Sequence, residues 1–107
     1  MNGGINMEEV KTSEGFLILK VSNLELAKAT DQEHCVCDHC LASPEEGYYV
    51  AVLNSWLCPK CYANWKKRAP KRYFTDIPIE EKNYQFYKNL ISKSEEFTVH
   101  NYGDKHA

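Results

Sequence analysis

The chain has no apolar run approaching the ~20 residues a membrane-spanning helix needs, so a membrane protein of that kind is not expected. The opening Met1-Asn2-Gly3-Gly4-Ile5-Asn6 has neither a basic n-region nor an apolar h-region, so no secretory leader is expected either. Net charge is small: −2 at pH 7, too near zero to imply a polyanionic partner by itself. No H-E-x-x-H zinc-protease signature occurs, and there is no H-x-E of the zinc deaminases. Ser, His and Asp are present, but in no local context that suggests a nucleophilic triad. These absences lead to the expectation of a cytoplasmic protein that is not an enzyme, with no membrane partner and no small-molecule substrate. Thiols are kept reduced in that compartment, which favours metal over disulfides.

What is present argues for a folded chain. The length of 107 residues suits one small domain, 43% of residues are hydrophobic, and four Phe, seven Tyr and two Trp exceed what disorder usually carries. A domain of this size buries a limited core and gains from a staple. Cys37-Asp38-His39-Cys40 and Cys58-Pro59-Lys60-Cys61, separated by seventeen residues, supply one. A C-x2-C…C-x2-C array at this separation is a strong zinc signal. Four thiolates from Cys37, Cys40, Cys58 and Cys61 close a tetrahedron around one Zn²⁺ and leave no position for water or substrate, so the metal is expected to be structural. Cys35, with His34 and His39 nearby, offers an alternative ligand. Cys37 is preferred because it gives the two-residue gap of a knuckle, which leaves Cys35 as a small buried residue or a spare thiol.

The first fifteen residues are expected to be flexible, and 16–92 to form a single stapled domain. Phe16 to Val21 reads as a strand buried on both faces, and Leu24 to Ala29 as a turn of helix capped by Ser22 or Asn23. After the turn signal Ser43-Pro44-Glu45-Glu46-Gly47, Tyr48 to Leu53 reads as a strand. Asn54-Ser55 is then a reversal, and Trp56-Leu57 begin the return strand. Pro59 suits a first helical turn, Tyr62, Trp65 and Ala69 recur at helical spacing, and Pro70 ends that helix. A C-terminal amphipathic helix is expected over about 78–92, with Ile79, Phe86 and Leu90 as its packing stripe, widened by Tyr87 and Ile91, lying on the zinc core. Residues 93–107 read as a polar tail, in which Phe97-Thr98-Val99 offers an edge strand.

The order of knuckle, hairpin and second pair at a helix start resembles the treble-clef zinc fingers. The spacing is similar to that of GATA-type fingers over about Cys35 to Ala69. The resemblance implies a small α+β fold: a treble-clef-like finger with an N-terminal strand and a C-terminal helix added. GATA-type fingers bind DNA through a segment between the pairs that is rich in Thr, Trp and Arg. Here that segment, Leu41 to Leu57, holds no Arg or Lys. LIM-type fingers share the topology but come as fused pairs with a histidine ligand, which this chain does not display.

Charge is unevenly distributed. Lys60, Lys66, Lys67, Arg68, Lys71 and Arg72 fall within thirteen residues that contain no acid. Cations among Tyr62, Trp65 and Tyr73 would suit nucleic acid. Equally, Lys66, Lys67 and Arg68 complement a helix C-terminus, and Lys60 flanks a negative metal site. The expected function is therefore a protein-interaction or adaptor module with structural zinc. The alternative is a nucleic-acid-binding regulator that uses Lys66, Lys67, Arg68, Lys71 and Arg72. A thiol–disulfide redox role for Cys58 and Cys61 at a helix start comes third. The surface tyrosines expected to serve a protein partner are Tyr48, Tyr49, Tyr84 and Tyr87.

Overall fold

The computed structural model describes residues 7–68 and 70–104, with side-chain environments up to Lys93. Strands β1 (Met7–Lys11), β2 (Leu17–Ser22), β3 (Glu46–Val50) and β4 (Ser55–Leu57) form one antiparallel sheet in the order β1-β2-β3-β4. Helix α1 (Asn23–Ala29) follows β2 directly, α2 (Pro59–Lys67) follows β4, and a 3₁₀ turn at Phe74–Asp76 leads into α3 (Ile77–Asp104). The fold is a small α+β unit.

Register explains the core. Pairing of Ile18 with Val50 and of Leu19 with Tyr49 puts successive apolar residues of β2 on opposite faces, and each face is covered. One face buries Leu19, Val21, Tyr49 and Trp56 beneath Leu26 and Ala27 of α1 and Tyr84 and Ile91 of α3. The other buries Ile18, Val50 and Leu57 beneath Tyr62 and Trp65 of α2, together with Cys37 and Cys58. Burial on both faces accounts for the continuous apolar run of β2. On the α2 side, Phe16 meets Trp65 edge-on at 5.0 Å and Tyr48 stacks on Tyr62 at 4.0 Å.

Residues 7–11, expected within a flexible leader, instead pair with β2 from Met7↔Val21 to Lys11↔Leu17. The sequence Met-Glu-Glu-Val-Lys gives little strand signal because an edge strand buries little, and a charged edge discourages further pairing. Strand β3 ends at Val50, earlier than expected. Residues 51–54 turn, with Asn54 at φ 52, a conformation asparagine tolerates. The second helix begins at Pro59 and ends at Lys67, and Ala69 lies outside the described residues.

Helix α3 departs most from expectation. It runs to Asp104, so the backbone over Phe97-Thr98-Val99 is helical rather than an edge strand, and 105–107 lie outside the described residues. Its packing face is also different. Ile79 and Phe86 are each 59% exposed, while Glu80, Tyr84 and Ile91 are buried. The stripe is Glu80, Tyr84, Tyr87 and Ile91: Tyr87 and Ile91 pack inward as expected, and the carboxylate at its head hides the rest from an apolar pattern. Glu80 is buried because it is satisfied: it accepts the Leu17 amide at 2.9 Å and both Nε (3.1 Å) and a terminal nitrogen (2.7 Å) of Arg72. The helix therefore packs on α1 and β2, on the face of the sheet away from the four clustered cysteines, rather than on the zinc core.

Two side chains link distant segments of this face. Trp56 donates its indole N–H to the Val21 carbonyl at 3.2 Å and lies across Gly47, where a Cβ would run into the ring. Gly47→Ala should therefore cost about 1–3 kcal/mol, as over-packing does, read as a lower denaturation midpoint with an unchanged m-value. Tyr84 donates to Glu9 at 2.6 Å, which ties α3 to β1, and Lys88 lies 3.1 Å from the same carboxylate. The Tyr84 hydrogen bond and then Lys88 hold the Glu9 carboxyl below its ordinary 4.5. A depressed acid adds stability above its unfolded pKa and loses it as pH falls through the folded one. Tyr84→Phe should thus cost about 1 kcal/mol near pH 7, and the gap to the parent should narrow below pH 4.5 in denaturation titrations.

Candidate metal centre

Each ligand-bearing segment is positioned by backbone bonds that its own sequence supplies. The first pair lies on a tight loop closed by Cys37 N–H to Ala42 O (2.7 Å) and Leu41 N–H to Cys37 O (2.9 Å). Leu41 adopts φ 68 to complete this loop, an uncommon conformation for a leucine and a local strain that the surrounding contacts must hold. Asp38 latches the loop to β4 twice: its amide donates to Trp56 O at 2.9 Å, and its carboxylate accepts the Trp56 amide at 2.8 Å. On the far side, Asn23 accepts the Cys35 amide at 2.6 Å and donates to the carbonyls of Cys35 and Pro44, each at 2.8 Å. The long connection from α1 to β3 is pinned in this way at Cys35 and at Pro44.

The second pair straddles the start of α2. Cys58 is its N-cap, with the sulfur accepting the Cys61 amide at 3.4 Å, and Pro59 occupies the first turn. The helix N-terminus is electropositive, which favours thiolates there. The Sγ atoms of Cys37, Cys40, Cys58 and Cys61 all lie within 4.8 Å of one another, and Cys40 and Cys58 are 3.7 Å apart. Tetrathiolate zinc has S···S edges of about 3.8 Å, from Zn–S bonds of about 2.3 Å. The four cysteines can therefore hold one metal ion, and their dimensions are compatible with a single zinc. Cys35 is outside the group and is buried against the opposite face of the sheet, where burial pushes its thiol up.

Electrostatics inside the cluster point the same way. Burial opposes ionisation of Cys37, but the backbone amides of Cys40, Cys58 and His39 outweigh it and bring that thiol down to about 6. Burial and then its three sulfur neighbours push Cys61 up to about 12. Four sulfurs this close cannot all ionise unless a cation shares their charge. Tyr62 and Trp65, buried beside Cys37 and Cys58, shield the inner side of the centre.

The basic residues divide. Lys60, Lys66, Lys67, Arg68 and Lys71 are exposed, with Lys66 5.0 Å over the Tyr62 ring. Arg72 is committed to buried Glu80 and is not a free cation. This pair was not visible from sequence because Glu80 lies eight residues on, beyond the acid-free stretch. Tyr49 and Tyr84, expected at the surface, are 2% and 7% exposed, because each fills the core between the sheet and α3. Tyr48 and Tyr87 are half-buried.

Metal should bind once per chain and be lost, with the fold around α2, in Cys37→Ser or Cys58→Ser, whereas Cys35→Ser should retain it. Metal analysis with circular dichroism in strong chelator checks this: an unchanged spectrum after metal removal would contradict a folding role worth about 10 kcal/mol or more. Among known proteins, no family model matches the chain, nor does any curated protein or solved structure.

Proposed function

We propose that the chain is a treble-clef-like, zinc-stapled protein-interaction module without catalytic activity. One structural Zn²⁺ is held by Cys37, Cys40, Cys58 and Cys61, and the protein works inside the cell where thiols stay reduced. The loop at 37–40, the β3–β4 hairpin and the helix capped by Cys58 follow in the order of that finger class. Four sulfur ligands leave no vacant position on the metal, and zinc would occupy the two thiols a redox role needs.

The observation that carries the protein-partner assignment is the exposed apolar surface at the start of α3. Phe74 is 86% exposed, and Ile79 and Phe86, two helical turns apart on one face, are 59% each. Such residues on a small domain mark contact surfaces. The alternative, a nucleic-acid regulator, keeps one specific support: α2 and its C-cap carry Lys60, Lys66, Lys67 and Arg68 with no acid among them. Without Arg72 that surface is smaller than the sequence suggested.

Affinity capture from the native host, with bound proteins identified, should recover a protein that Phe74→Ser/Phe86→Ser loses and Lys66→Ala/Lys67→Ala keeps. A salt-dependent shift of mixed DNA and RNA that vanishes in the lysine variant, with no protein lost in the other, would favour the alternative instead.

A further inference from the structure

The face of α3 turned away from its own core carries a second seam. Ile79, Asn83, Phe86, Leu90 and Lys93 follow one another at alternating steps of four and three residues, the spacing by which one helix packs along another. At 3.6 residues per turn this seam lies about 110° round the helix from the packed stripe of Glu80, Tyr84, Tyr87 and Ile91. Ile79 and Phe86 are each 59% exposed, Lys93 is exposed and Leu90 is half-buried. Phe86 is held outward rather than left loose: it meets Tyr87 edge-on at 5.2 Å, and Tyr87 lies 4.3 Å from Tyr49 of the core. Asn83 donates to the Ala51 carbonyl at 3.0 Å, so the polar position of the seam is satisfied within its own domain.

We propose that this seam pairs with the same seam of a second copy of the chain, the two α3 helices running antiparallel about a two-fold axis at the level of Lys88. The inference rests on the reading of this face as a contact surface and names what covers it. The order of residues along the seam selects that occupant. With the helices antiparallel about Lys88, Phe86 falls opposite Leu90 of the second copy, twice by symmetry, and Asn83 falls opposite Lys93. Ile79 falls opposite position 97, a phenylalanine in the sequence, and on the flank of the seam Lys82 falls opposite position 96, a glutamate. Apolar meets apolar, polar meets polar and cation meets acid at this one register, as a self-complementary two-fold interface requires. A parallel pair would instead set Lys93 against Lys93 inside the seam. A nucleic acid has no use for the row of Ile79, Phe86 and Leu90. Phe74 precedes the helix and is not part of the seam.

The test is sedimentation equilibrium of the full, metal-loaded chain from about 1 μM to about 1 mM, the range in which modest interfaces assemble. The mass should rise from one chain towards two. Phe86→Ser should weaken the dimer by at least about tenfold, because the substitution removes a buried aromatic anchor twice. Phe74→Ser should leave it unchanged. Lys82→Glu should weaken it about fivefold by setting acid against acid, and adding Glu96→Lys should restore it, since the reversed pair is again complementary. Metal content and circular dichroism confirm that each variant is folded. A chain that stays monomeric throughout overturns self-pairing. If that monomer still captures a host protein through Phe86, the contact-surface reading survives without a second copy; if it captures none, both fall. A dimer indifferent to Phe86→Ser, or one that Glu96→Lys does not rescue, overturns the α3 register.

Discussion

Four sulfurs within 4.8 Å of one another repel as thiolates and pack poorly as thiols, yet two segments of chain distant in sequence converge on them. The loop at 37–40 and the Cys58–Cys61 start of α2 meet there, and Asp38 ties the loop to β4. Neither β4, three residues long, nor α2, nine residues long, has the length to stand alone. A shared cation would turn the repulsion into a cross-link. It would hold in place the helix whose Tyr62 and Trp65 pack on Ile18 and Val50 and cover one face of the sheet. The opposite face has no part of the cluster: α1 and α3 cover it with Leu26, Tyr84 and Ile91. The molecule is therefore two half-cores on a common sheet, one stapled and one packed.

That division explains what was legible in the sequence. Local chemistry was readable wherever a residue acts on its own neighbours: Ser22 caps α1, Pro59 opens α2, and the cysteine spacing selects the four clustered thiols and leaves Cys35 out. Relations between distant residues were not readable. Glu80 looks like a solvated acid until Arg72 and the Leu17 amide are placed around it, and once it is buried the helix turns Tyr84 and Ile91 inward and Ile79 and Phe86 outward. Strand β1 was hidden for the opposite reason. Its stability comes from a ladder with β2 rather than from its own side chains.

These corrections also redraw the functional surfaces. Removing Arg72 from the free cations, and Tyr49 and Tyr84 from the exposed aromatics, weakens the two lists of contact residues that composition suggested. The exposed apolar residues Phe74, Ile79 and Phe86 take their place as candidates.

The central claim is a closed, all-sulfur metal centre that holds the α2 half of the fold. Zinc-edge X-ray absorption on the purified chain tests it most directly. The account predicts a single shell of four sulfur scatterers at about 2.3 Å, with no lighter neighbour at bonding distance. A nitrogen or oxygen scatterer in that shell, from histidine or from water, would contradict it.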